Sequence, residues 1–106
     1  MAEHQHQPVI EFERLRTQAA EARLVAMRSQ IVTGLTFCRV AETELAYGRA
    51  DITHGILEKL RKLCETLRRH LSEPNHVPPN EVDKLETELA QLDSRVAIEE
   101  RVRHNR

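Results

Sequence analysis

The sequence predicts an all-α protein, a three-helix bundle with a long first helix, and three observations carry that expectation. Apolar residues recur at intervals of three and four over most of the chain, which places them on one face of a helix. Breakers are few and grouped: Gly totals 3, and three of the 4 prolines stand together in "SEPNHVPPN" at 72–80. Residues that favour strands are sparse, with aromatics at 3 %, whereas Leu, Ala, Glu, Arg and Gln supply good helix propensity. A chain of 106 residues suits one domain with a single modest core, so residues 1–106 are read as one unit.

The first eight residues are polar, carry His4 and His6, and end in Pro8; a disordered tail is expected there. From Val9 to Tyr47 only Gly34 weakens a helical pattern, which predicts one helix over 9–47, about 58 Å long. Leu24, Met27, Ile31, Leu35, Cys38, Ala41 and Leu45 form its core stripe. A second stripe, turned by about a third of a revolution, runs Phe12, Leu15, Ala19, Ala22, Ala26, then Thr33, Phe37 and Val40.

Gly48 is suited to end this helix in a left-handed conformation, and Asp51 can cap the next one. That second helix is expected over 52–71, with Ile56, Leu60, Leu63, Leu67 and Leu71 as its core stripe and Leu57 and Cys64 flanking. The Pro-rich stretch 72–80 is a loop, because proline removes a backbone donor and disfavours helix in the residue before it. Asn80 can cap a third helix over 81–103, whose first turn carries Glu81 and Asp83. Leu85, Leu89 and Leu92 should enter the core, with Val82 and Val96 in the same stripe.

The turn itself bears a resemblance. Phe37, Val40, Ala41, Gly48, Thr53 and Leu57 fall at spacings similar to a tetratricopeptide repeat over residues 34–67, while Glu44, Leu60 and Glu65 depart from that pattern. The resemblance implies an antiparallel helical hairpin and a peptide-binding role. A single copy, however, favours the plain corner of a bundle, since such repeats bury a continuous core by stacking.

Composition narrows the function. A net charge of −1 gives no global attraction to nucleic acid or to an anionic membrane. No apolar run approaches the roughly 20 residues of a membrane span, and "MAEHQHQP" has no basic and apolar leader pattern, so we expect a cytoplasmic protein. Cys38 and Cys64 form no C-x-x-C pair and read as structural buried thiols.

Catalysis and cofactors are not expected. His4 and His6 offer two metal ligands where zinc wants three or four. His54 raises the idea of a phosphate-accepting histidine, but without a supporting motif. Glu58 with Lys62, Glu65 with Arg69 and Glu99 with Arg103 read as solvated i,i+4 pairs. Helix 2 carries five basic against two acidic residues, and helix 3 carries seven acidic against two basic. Pairing between the two helices explains this better than a nucleic-acid surface, though "LRRH" and "RVRHNR" keep a nucleic-acid-associated regulator as the runner-up.

The expected role is therefore a protein-interaction or self-association module. Helix 2 is too short to cover all of helix 1, which leaves residues 9–25 without a partner. Phe12, Leu15, Ala19, Ala22 and Ala26 on that segment would then form a homodimer interface, or meet another protein. The competing expectation is a break near Ser29 or Gly34 that folds residues 9–25 back as a fourth helix.

Overall fold

The computed structural model describes residues 2–105, with side chains from Val9 to Asn105. Three helices, α1 (Ala2–Ala46), α2 (Ala50–Ser72) and α3 (Val82–His104), form the chain, with a short 3-10 turn at Pro79–Glu81. Helix α1 sets the length of a rod 72 × 20 × 15 Å in extent. The expected tail is thus helical in its backbone from Ala2, continuing the run of helix formers that follows.

Helix α1 is continuous, so the alternative of a break near Ser29 or Gly34 does not hold. Gly34 is buried and serves packing instead. A Cβ there would lie 2.9 Å from Leu92 Cδ2 and 3.1 Å from Cδ1, so the bare backbone is what lets α3 approach.

At the corner Gly48 takes φ +78°. Its N–H donates to the Leu45 carbonyl at 3.0 Å, and that of Arg49 to the Glu44 carbonyl at 2.9 Å, closing the end of α1 with a Schellman pair. An ion pair of 2.6 Å from Arg49 to Glu44 stands where an apolar contact usually accompanies that motif. Asp51 does not cap α2. The helix starts one residue earlier, at Ala50, with Arg49 at the cap position and no side-chain cap bond, which leaves Asp51 as a favourable charge in the first turn.

Between α2 and α3 the chain turns at Asn75, φ +59°, and folds back onto α1. The Arg23 side chain donates to the His76 carbonyl, and Val77 is buried against the core. The 3-10 turn then displaces the expected cap: Asn80 lies within it and Glu81 precedes α3, again without a side-chain cap bond. Pro79 at the start of that turn fixes its φ there and delays the α-helix by one residue.

The core interleaves Leu24, Met27, Ile31, Cys38 and Ala41 of α1 with Leu57, Leu60, Cys64 and Leu67 of α2 and Leu85, Leu89, Leu92 and Val96 of α3. On α2 Leu60 and Leu67 are buried as expected, but the rest of the line is rotated: Thr53, Leu57 and Cys64 are buried, while Ile56, Leu63 and Leu71 are partly exposed. Leu35 is likewise at the margin.

Ion pairs tie the helices laterally. Arg68 joins Asp93 at 2.7 Å and Arg61 joins Glu100 at 3.0 Å across α2 and α3. Arg28 reaches Glu81 at 2.7 Å and Glu88 at 3.5 Å, and Arg95 reaches Glu42 at 2.9 Å, across α1 and α3. Two of the five basic residues of α2, Arg61 and Arg68, thus meet acidic residues of α3, and Glu81 and Glu88 are taken up by Arg28 of α1.

Candidate interaction face

Because α2 and α3 occupy one side of α1, its opposite side is left open. In heptad terms the buried residues Ala20, Leu24, Met27, Ile31, Cys38, Ala41 and Leu45 keep to two neighbouring positions. The open line on the far side runs Phe12, Leu15, Ala19, Ala22, Ala26, Ser29, Thr33, Thr36 and Val40. All five residues expected at an interface lie on this line. Phe12 is 61 % exposed, Leu15 is also exposed, as are Ala22 and Ala26, and Ala19 is half-buried where the 73–79 turn comes near.

The bare segment is shorter than expected on the bundle side. The turn at 73–79 reaches back to Ala20, Arg23 and Leu24, so residues 9–18 form the truly overhanging arm. The open line itself continues past the arm, along the full bundle.

Two residues beside that line escaped the sequence reading. Val25 and Val32 are 68 % and 63 % exposed, and they stand seven apart on the flank facing away from α2. Their signal was available as heptad spacing, but neither belongs to either stripe at 3,4 intervals. On the other flank, Thr33 and Phe37 of α1 meet Ile56, Leu60 and Leu63 of α2 around an open cavity of about 400 Å³. Helices of this diameter leave such a groove when large residues sit at the rim of their contact.

The ionisable groups that the sequence singles out lie elsewhere. Burial pushes both thiols up, that of Cys64 to about 12 with a contribution from Asp93, which keeps the thiolate scarce. His54 is exposed beside Glu58 at 3.8 Å, and Glu58 also meets Lys62. Glu99 does not take up its expected pair with Arg103. It is buried in the core line of α3, with Arg95 at 3.6 Å, and burial raises its carboxyl, as does Glu42. The side chains of His4 and His6 lie outside the described residues, and among the described residues no group of three or more metal-binding side chains converges.

The chain matches no protein-family model, no curated protein and no solved structure. Among the described residues no helix is long and apolar enough to cross a membrane.

Proposed function

We propose that this protein is a non-catalytic cytoplasmic module that self-associates through the open face of α1. The observation that supports this reading is one exposed line on the side of α1 away from α2 and α3, apolar from Phe12 to Ala26 and continuing through Ser29, Thr33 and Thr36 to Val40. Contiguous exposed apolar surface in so polar a chain marks an interface. On this reading the hairpin around Gly48, whose sequence resembles a single tetratricopeptide repeat, acts as one copy as a scaffold that presents α1 rather than as a peptide groove.

Light scattering at about 100 μM should give twice the 12.3 kDa mass of the chain. Ala22→Glu places a charge in the centre of the face and should yield a folded single chain. A wild-type single chain at that concentration overturns the reading.

A further inference from the structure

We propose that the occupant of the open face is a second copy of this chain in antiparallel register, crossing near residue 24, so that each copy's arm lies over the other's α1–α2 groove. The inference rests on the self-association reading and adds its geometry.

The open line is symmetric in position but not in size. Reversing α1 about a point level with residue 24 places Phe12 opposite Thr36, Leu15 opposite Thr33, Ala19 opposite Ser29 and Ala22 opposite Ala26. Every position of the line from Phe12 to Thr36 then meets another position of the same line, and Val40 alone lies beyond the paired stretch. The four small pairs near the axis allow the helices to approach closely, and the large residues of the arm meet the smaller threonines further along.

The flanks agree with the same reversal. On the side away from α2, Val25 falls beside its own copy, Val32 beside Gln18, and Glu11 beside Arg39 of the second copy. That arrangement covers the two exposed valines and sets a carboxylate against an exposed guanidinium. Among the described residues Glu11 holds an exposed local pair with Arg14, which is cheap to exchange. On the side facing α2, Val9 falls beside Phe37, at the rim of the groove of Ile56 and Leu63. Glu13 of the arm arrives level with Lys59, which lines that groove. Arg23 would meet its own copy near the axis, but its hydrogen bond to the His76 carbonyl turns it toward the loop.

A parallel pairing fits less well. It stacks Phe12 on Phe12 and Leu15 on Leu15, leaves both α1–α2 grooves open, and keeps the two arms together beyond the end of the bundles. The antiparallel pairing instead fills both grooves, in the reciprocal manner of a two-fold interface.

Leu15→Cys and Thr33→Cys chains, mixed and treated with a short bis-maleimide, should link to each other, while Leu15→Cys alone should not. In this register the two copies of residue 15 are 18 residues apart, about 27 Å. Charge reversal tests the flank: Glu11→Arg and Arg39→Glu should each weaken the dimer about threefold to tenfold, and the double variant should recover it. Linking of Leu15→Cys to itself, or a double variant weaker than either single one, overturns the register while the dimer stands. A wild-type single chain removes the dimer and the register together.

Discussion

The Thr53 hydroxyl lies 3.1 Å from the Ala41 carbonyl and 3.2 Å from that of Arg49, fully buried beside the corner of the hairpin. One proton thus serves two acceptors, one on α1 and one on the cap residue of α2, and α2 is bonded directly to the backbone of α1. Thr53→Val keeps the shape and removes the donor. It should cost about 1–3 kcal/mol, because the hydroxyl's buried bonds are lost and a methyl faces carbonyl oxygens. Thr53→Ser should cost less than Thr53→Val in denaturant titration, and equal losses would show that only packing matters there.

Gly34→Ala weighs two opposing effects. A helical alanine gains up to about 1 kcal/mol over glycine, while overpacking a filled core costs about 1–3. Leu92, whose methyls the new Cβ would touch, is fully buried and has little room to shift. Net destabilisation is expected, read as a lower urea midpoint. A raised midpoint would mean that the α1–α3 contact relaxes freely.

The buried thiols should be silent in the native state. With Cys64 held up to about 12 and Cys38 also raised by burial, alkylation by iodoacetamide at pH 8 should occur only through unfolding. Both cysteines should then react at one rate, and that rate should rise with urea. Fast modification of one thiol without urea would contradict the packing of the α1–α2 contact.

Much of this architecture was legible in the sequence because the signals were local. Helix spans follow from propensity and breakers, and Gly48 marks the corner that its positive φ requires. What the sequence hid depended on three bodies meeting. The rotation of α2, which buries Thr53 and Leu57 and leaves Ile56 and Leu63 at the rim, is fixed by where α1 and α3 press together. The expected caps failed for a related reason: Asp51 and Asn80 are good capping residues, but chain direction into the bundle set the helix starts at Ala50 and Val82. The open-face residues Phe12, Leu15, Ala19, Ala22 and Ala26, proposed as an interface, were readable as a stripe, whereas Val25 and Val32 became visible only when α1 proved unbroken.

Glu99 shows most clearly a charge that folding disfavours. Its side chain is 5 % exposed on the core line of α3, where Val96, Leu92 and Leu89 precede it at helical spacing. Burial raises its carboxyl above the ordinary value of 4.5, the neighbouring charge of Glu42 adds to that, and Arg95 opposes both. The folded chain therefore binds this proton more tightly than the unfolded chain. Below the unfolded value both states are protonated and the site costs nothing; as pH rises through the folded value the carboxylate must form in the core, and stability falls. The difference between wild type and Glu99→Gln isolates the buried site. At pH 7 the amide should raise the melting temperature, since it keeps the volume without the charge, and near pH 4 the advantage should vanish. An advantage of equal size at both pH values would assign the gain to packing, and a loss at pH 7 would show that the contact with Arg95 outweighs the cost of burial.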